Sequence, residues 1–297
     1  MNPITEEMQQ IASELLTAQE VKCVLGWEKG TLWYQSAPAF IFSPDEASRL
    51  VWDEFCLPNL SSYLLDDRYS QDRVAIFVKG CDSRGIVRLL SDQQLSRQRV
   101  YLIGVPCPGM KDPAAALGQK PGDTSDLPVA SKCRHCTHRN PVLYDRLLGQ
   151  PVPEVEPSGE RFAHVDEIEK MGIEDRYAFW EKQFARCIRC FACRNVCPAC
   201  NCTYCCFDLD EPRWLDKEVA PSQNAFYALT RAFHVAGRCV ECGECERVCP
   251  MGIPIMALNR KIIKDINELF GDYEAGLETS EQPPLGRYNP DDPDNFA

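Results

Sequence analysis

The sequence predicts an α+β protein in which an N-terminal α/β domain with a short parallel sheet precedes a mainly helical, cysteine-rich domain. Three observations support this prediction. Two continuous apolar runs, residues 73–79 and 99–105, flank a helical stretch, which is the pattern of a strand–helix–strand unit with parallel strands. Further along the chain one cysteine motif occurs twice, with helical stretches around it. A segment rich in Pro and Glu, residues 150–160, separates the two halves.

The first residues of the chain predict a helix, a pair of strands and a second helix. Residues 5–20 place apolar side chains along one helical face. Two strand-like runs, residues 21–27 and 31–35, are separated by a short stretch that suits a hairpin turn. The sequence Ser-Pro-Asp-Glu at residues 43–46 is typical of a helix start, and we expect that helix to end near Phe55.

The cysteine repeat has the spacing C-x2-C-x2-C-x3-C-P in both copies. The first copy is CIRCFACRNVCP, from Cys187, and the second is CVECGECERVCP, from Cys239. This is the spacing of bacterial ferredoxins with two 4Fe–4S clusters, in which three cysteines of one copy and the fourth of the other ligate each cluster. The predicted ligands are Cys187, Cys190, Cys193 and Cys249 for one cluster, and Cys239, Cys242, Cys245 and Cys197 for the other.

Three other chemistries fit the repeat less well. Zinc sites use two C-x2-C pairs, so the third cysteine of each run would be surplus. Disulfide frameworks are typical of small secreted domains, and two copies of one ligand spacing are not a disulfide pattern. Cys193, Cys197 and Cys200 have the C-x3-C-x2-C spacing of radical S-adenosylmethionine enzymes. That motif needs a large barrel around it, and too little chain follows here.

A third set of four cysteines is predicted at the edge of the parallel sheet. Cys81 and Cys107 each follow a predicted strand, and the carboxyl ends of parallel strands meet at one edge. Cys133 and Cys136 form a C-x2-C pair after a loop rich in Gly and Pro. Together these side chains supply the four thiolates of a third 4Fe–4S cluster. A zinc site or unrelated thiols are the alternatives.

Four more cysteines lie in the short segment of residues 200–206. Cys200, Cys202 and Cys205 are candidate ligands of a fourth cluster, and they could also exchange with ligands of the third cluster or stay free thiols. Neighbouring Cys205 and Cys206 rarely bind one metal together, for steric reasons. The spacing does not decide among these alternatives.

Composition along the chain predicts four segments. These are an α/β domain with the third site (1–148), a linker and helix (149–180), a dicluster ferredoxin-like domain (181–271) and an extended partner-binding tail (272–297). Helices in the C-terminal part are predicted over residues 166–186, 222–236 and 255–270.

Charge and composition exclude several classes of function. The net charge of −12 and the lack of a basic stripe argue against nucleic-acid binding. No stretch approaches the length of a membrane span, and the first residues do not resemble a signal peptide. No proton-transfer dyad, nucleophile triad or phosphate loop is visible, so no catalytic residue is predicted. Thiolate clusters need a reducing, oxygen-poor setting, which indicates the cytoplasm of an anaerobe.

Two stretches resemble known families. The dicluster motifs, with the continuation CPAC-x-C at residues 197–202, resemble iron–sulfur β-type subunits of sulfhydrogenases and anaerobic sulfite reductases. They resemble still more closely the dicluster subunits of heterodisulfide-reductase-like and flavin oxidoreductase complexes in strict anaerobes. VYLIGVPC, which ends at Cys107, and KCRHCTHRNPVLYDRLLG, which contains Cys133 and Cys136, are similar to the β-subunit family of deazaflavin-reducing hydrogenases and formate dehydrogenases.

The resemblance implies an electron-transfer subunit of a larger cytoplasmic oxidoreductase. Such a subunit relays single electrons through 4Fe–4S clusters between a flavin- or ferredoxin-linked partner and a catalytic subunit. Flavoprotein, heterodisulfide-reductase-like, and hydrogenase or dehydrogenase subunits are the expected partners. Because the deazaflavin enzymes' β subunits also bind FAD, the alternative is an FAD-containing oxidoreductase subunit that reduces ferredoxin or a deazaflavin. No dinucleotide-binding fingerprint is visible in the sequence.

Overall fold

The computed structural model describes residues 2–66, 68, 71–154, 159–280 and 282–286. It divides into two compact units, Met1–Glu156 and Pro157–Ala297. Residues 155–158 of the predicted linker and residues 281 and 287–297 of the predicted tail lie outside the described residues.

A mixed five-stranded sheet forms the centre of the N-terminal unit. Its strands are β1 (Cys23–Lys29), β2 (Ser36–Ile41), β3 (Val74–Val78), β4 (Val100–Gly104) and β5 (Arg146–Leu147). The spatial order is β2-β1-β3-β4-β5, with β2 antiparallel to β1 and the other neighbours parallel. Helix α2 (Gly80–Ser91) connects β3 to β4. The predicted α+β class, with its N-terminal α/β domain, is confirmed.

One continuous apolar core joins this sheet to its helices. All five residues of β3 are buried, as expected of a parallel strand that is covered on both faces. Helix α1 (Pro3–Thr17) buries Met8, Ile11 and Leu15 on the predicted face. The indole of Trp27 is fully buried and donates its Nε1–H to the Pro58 carbonyl at 2.9 Å, so its polar atom is satisfied inside the core.

The prediction of a second strand over residues 31–35 is wrong, because these residues form the hairpin turn. The N–H of Gln35 donates to the Leu32 carbonyl, and the N–H of Gly30 donates to the Gln35 carbonyl, both at 2.9 Å. The strand therefore begins only at Ser36.

The helix predicted from Ser43 to about Phe55 is also much shorter than expected. It is a 3₁₀-helix over Pro44–Arg49. The helix ends there because the next residues bind to the sheet: the N–H of Val51 donates to the Trp27 carbonyl at 2.8 Å. A backbone bond to a neighbouring strand thus ends a helix that the local sequence would continue.

The C-terminal unit is mainly helical, as predicted. Its helices are α3 (Ala163–Glu169), α4 (Ile173–Ala185), α5 (Ala192–Asn195), α6 (Pro221–His234), α7 (Glu244–Arg247) and α8 (Ile255–Phe270). The single helix predicted over residues 166–186 is two helices, separated at Gly172, whose backbone is extended. Helices α4 and α8 pack against α6. None of the described helices is both long and apolar enough to cross a bilayer.

The buried apolar cluster at the cysteine motifs of this unit is small and is made largely of cysteine. It contains Cys197, Ala199 and Val235, with Cys200 and Cys239 packed against it. The sheet of the other unit, in contrast, buries many large aliphatic and aromatic side chains. We therefore expect the groups bound by the cysteines to supply part of the folding free energy of the C-terminal unit.

Candidate metal centres

The two motif copies share one backbone conformation. The third and fifth positions are left-handed in both: Arg189 and Phe191 have φ values of 49° and 59°, and Glu241 and Gly243 have values of 52° and 68°. A one-turn helix follows at once, α5 in the first copy and α7 in the second, and it contains the third cysteine. Left-handed residues turn the chain sharply, so the repeat in sequence is also a repeat in shape.

Site A is the set Cys187, Cys190, Cys193 and Cys249. The structure brings Cys249, which lies in the second copy, next to the first three. Burial raises the pKa of the Cys187 thiol, and the charges of Cys193, Cys249 and Cys190 raise it further. Backbone N–H groups point at two of the sulfurs: Arg189 donates to Cys187 Sγ and Ile253 to Cys249 Sγ, each at 3.4 Å. Hydrogen bonds of this kind set the potential of sulfur-ligated clusters.

Site B is the set Cys239, Cys242, Cys245 and Cys197, so here the first copy supplies the fourth cysteine. The charge of Cys197 acts on each of the other three thiols. Burial is the main cause that raises their pKa values, for Cys239 to about 12. The structure thus brings both sets together in the exchanged combination that the spacing predicts. Ligation by these eight cysteines stays a prediction.

Helix α6 presents a buried polar face to these sites. Asn224, Tyr227 and Arg231 are at most 3 % exposed. Asn224 Nδ2 donates to the Cys187 carbonyl at 2.9 Å, the hydroxyl of Tyr227 lies 3.5 Å from Cys193 Sγ, and Arg231 Nη2 donates to the Cys193 carbonyl at 3.0 Å. None of these three residues is among the site residues predicted from the sequence. Their spacing on one face of the helix between the motifs, Asn-x2-Tyr-x3-Arg, was the available signal.

Site C is the set Cys81, Cys107, Cys133 and Cys136, which the structure also brings together. Cys81 lies in the first turn of α2, because this helix begins at Gly80. The charge of Cys136 acts on Cys81, and the charges of Cys133 and Cys136 act on Cys107. Burial raises the pKa of Cys81 and Cys136, and that of Cys107 to about 11.

A buried ion pair, Lys79 with Asp82, lies beside site C. Lys79 is 1 % exposed, and its Nζ lies 3.0 Å from Asp82 Oδ2 and 3.9 Å from the centre of the Trp27 ring. Its charge acts on both Cys81 and Cys107 and opposes the effect of burial on their pKa values. The charge of Asp82 acts in the opposite direction and raises the pKa of Cys81, so the pair is an ion pair and not a lone cation. The four neighbouring thiols are the donor set that a 4Fe–4S cluster requires.

Gly80 allows the C-x2-C loop to approach helix α2. A Cβ atom at Gly80 would lie 1.9 Å from the carbonyl oxygen of His138, so no other residue fits there without a shift of the backbone. The same loop is held from the strand side, where the N–H of Cys107 donates to the Arg139 carbonyl at 2.9 Å. Close backbone packing therefore positions the loop between two of the cysteines of site C.

The cysteines that follow the first motif fall into two groups. Cys200 is hydrogen-bonded to Cys197 of site B, which lowers the pKa of Cys197 to about 5 and raises that of Cys200. Cys202 and Cys205 act electrostatically on Cys206. Within the described ranges, no three His, Cys, Asp or Glu side chains are arranged to hold a single metal ion. Ligation by Cys200, Cys202 and Cys205 stays a prediction.

Comparison with known proteins supports a dicluster domain in the C-terminal unit. Residues 183–253, which contain both motif copies and α6, match the family model of the 4Fe-4S dicluster domain. The chain is similar to the F420-dependent formate dehydrogenase subunit beta of Methanocaldococcus jannaschii, with 23 % identity over 91 % of each chain. It is also similar to the F420-dependent formate dehydrogenase 1 subunit beta of Methanococcus maripaludis, with 25 % identity over 92 % of this chain and 90 % of that protein.

These matches confirm the resemblance to formate dehydrogenase β subunits and the presence of a 4Fe–4S dicluster domain. The names of these relatives as β subunits imply a complex of several subunits, and 4Fe–4S clusters carry out one-electron chemistry. The chain is therefore an iron–sulfur electron-transfer subunit of an oxidoreductase complex, and it is similar to formate dehydrogenase β subunits over most of its length.

Proposed function

We propose that this chain binds three 4Fe–4S clusters, at sites A, B and C, and relays single electrons between a flavin- or ferredoxin-linked partner and a catalytic subunit. A 4Fe–4S cluster supplies reversible one-electron chemistry while its thiolate ligands stay in place. The residues of this chain supply the thiolates, the hydrogen bonds to sulfur and the burial that together set the potential. Clusters of this kind require reducing conditions, which supports a cytoplasmic location.

The main support for this proposal is that sites A and B are neighbours in the C-terminal unit. The charge of Cys193 in site A acts on Cys245 in site B. The buried guanidinium of Arg231 is within electrostatic range of both cysteines. Because electron transfer slows steeply with distance, two one-electron centres that share a neighbouring residue can exchange electrons directly. The C-terminal unit is therefore suited to passing an electron on.

We further propose that the partner exchanges electrons with this unit through site A. Cys190 of site A is exposed, whereas Cys197 and Cys245 of site B are buried. A partner subunit can approach site A more closely, and the shorter distance gives the faster transfer. A flavoprotein, a heterodisulfide-reductase-like subunit, or a hydrogenase or dehydrogenase subunit has the chemistry to take part.

The test is a set of single cysteine variants in the anaerobically purified complex. Cys193→Ser and Cys245→Ser are each expected to lose about four irons and the electron paramagnetic resonance signal of one cluster. Both should stop electron delivery from the partner to the catalytic subunit. Cys23→Ala is the matched control, since Cys23 is buried in the apolar core, where burial raises the pKa of its thiol to about 12. Full iron content and transfer in both serine variants would reject the proposal.

The names of the relatives favour a second candidate function. Both relatives are named as F420-dependent enzymes. On this reading the N-terminal unit binds FAD beside site C and the chain exchanges reducing equivalents with ferredoxin or a deazaflavin. A yellow chromophore released on denaturation, at about one FAD per chain, would support this function. A protein that contains all of its clusters and no flavin would reject this second function, and only the electron relay would remain.

A further inference from the structure

We infer that Arg231 tunes the redox potentials of both dicluster sites, because its buried guanidinium holds a fixed positive charge between them. The inference rests on the proposed function, since it assumes a cluster at site A and another at site B. It assigns a role to a side chain that is not a ligand.

The hydrogen bonding of Arg231 is incomplete without an anionic neighbour. The side chain is 3 % exposed, and Nη2 donates to the Cys193 carbonyl at 3.0 Å. Its Nε and Nη1 atoms are buried and have no hydrogen-bond partner in the described part of the chain. Burying a charge costs several kcal/mol unless it is paired, so a guanidinium is retained here only if something negative faces it.

The negative groups around Arg231 belong to both sites. The cysteine side chains whose charges act on it are Cys245 and Cys197 of site B, Cys193 of site A, and Cys200. One buried cation therefore lies within electrostatic range of both sites, and it contacts site A directly through the Cys193 carbonyl.

A cation in this place has a definite electrostatic consequence. Each 4Fe–4S cluster with four thiolates is negative and becomes more so when it takes up an electron. A nearby positive charge stabilises the reduced state of each cluster, which raises both potentials. Because Coulomb energies add, the same charge shifts both potentials in the same direction. Tyr227 and Asn224, on the same face of α6, contact site A by hydrogen bonds.

Two substitutions separate the charge of Arg231 from its hydrogen bond. Arg231→Gln removes the charge and keeps an amide that can donate to the Cys193 carbonyl. Arg231→Lys keeps the positive charge and loses the planar guanidinium with its several N–H donors. Arg213→Met is the matched control, because this arginine of the same unit is 43 % exposed and pairs with Asp210. The measurement is an anaerobic redox titration of the full chain, followed by electron paramagnetic resonance, with iron counted in each variant.

We expect Arg231→Gln to keep its iron while the midpoint potentials of both clusters shift to more negative values. Arg231→Lys should remain closer to the unsubstituted protein, and Arg213→Met should match it. Unchanged potentials in an iron-loaded Arg231→Gln variant would overturn the inference and leave the relay intact. Loss of the clusters in both Arg231 variants would also overturn it, because the role would then be structural. An unsubstituted protein without clusters would instead reject the proposed function.

Discussion

The carboxylate of Asp82 holds three groups in place at the start of α2. Its Oδ1 accepts from the N–H of Leu60 at 2.6 Å, and its Oδ2 accepts from the N–H of Lys79 at 2.9 Å. The same Oδ2 lies 3.0 Å from Lys79 Nζ. Neither side chain of this pair is exposed by more than 2 %. A single carboxylate therefore fixes the helix start, the neighbouring loop and the cation beside site C.

We predict that Asp82→Ala lowers the free energy of unfolding of the N-terminal unit by about 3–5 kcal/mol. The substitution leaves the ammonium of Lys79 buried without its partner, which is the costly way to break a buried ion pair. The measurement is denaturant unfolding followed by tryptophan fluorescence. Asp66→Ala is the control, because the Arg68 side chain that pairs with Asp66 is 69 % exposed, and such pairs contribute less than about 1 kcal/mol. Equal effects of the two substitutions would contradict the account.

Among the elements, the contact of α2 with the C-x2-C loop decides whether site C can form. We predict that Gly80→Ala displaces this loop, because the new methyl group would meet the His138 carbonyl. The variant should lose about four irons per chain and keep the two clusters of the C-terminal unit. Iron analysis and redox titration of the purified variant measure this loss.

The control for this prediction is Gly122→Ala, where the nearest atom to an added Cβ is 4.0 Å away. It should keep all of its iron. If Gly80→Ala also kept all of its iron, close packing of α2 and the loop would not be what positions site C.

Elements and sites differ in how far the sequence predicts them. The cysteine sets follow from the spacing, because the ligand order of a ferredoxin motif is local and the exchange of its fourth cysteine is regular. The 3₁₀-helix at Pro44–Arg49 does not follow, because a bond between Val51 and Trp27 ends it. Arg231 and Lys79 were missed for a related reason. Nothing in a sequence shows that a charged side chain will be buried, since burial depends on how distant elements pack.

At the scale of the whole molecule, the two units owe their stability to different sources. The N-terminal unit has a large apolar core around its sheet, whereas the buried cluster at the motifs of the C-terminal unit is small and has cysteines in and around it. We predict that removing iron by chelation under mild oxidation unfolds the C-terminal unit and leaves the sheet folded. Hydrogen exchange measured by mass spectrometry should show protection lost over α4 to α8 and kept over β1, β3 and β4.

The matched control for iron removal is the iron-loaded protein under the same buffer and temperature. In this sample the backbone amides of both units should be protected from hydrogen exchange. Simultaneous loss of protection in the sheet, or full protection of the C-terminal unit after iron removal, would contradict the assignment of folding free energy to the clusters.

The central claim is that 4Fe–4S clusters at sites A, B and C make this chain an electron relay. The most direct test is to purify the chain anaerobically and to quantify iron, acid-labile sulfide and flavin per polypeptide. The account predicts about twelve irons and about twelve sulfides, four of each for every cluster. A content of about eight irons would show that site C holds no cluster. A content of about sixteen would indicate a further cluster on the cysteines after the first motif. A colourless protein, or one that contains only zinc, would contradict the relay itself.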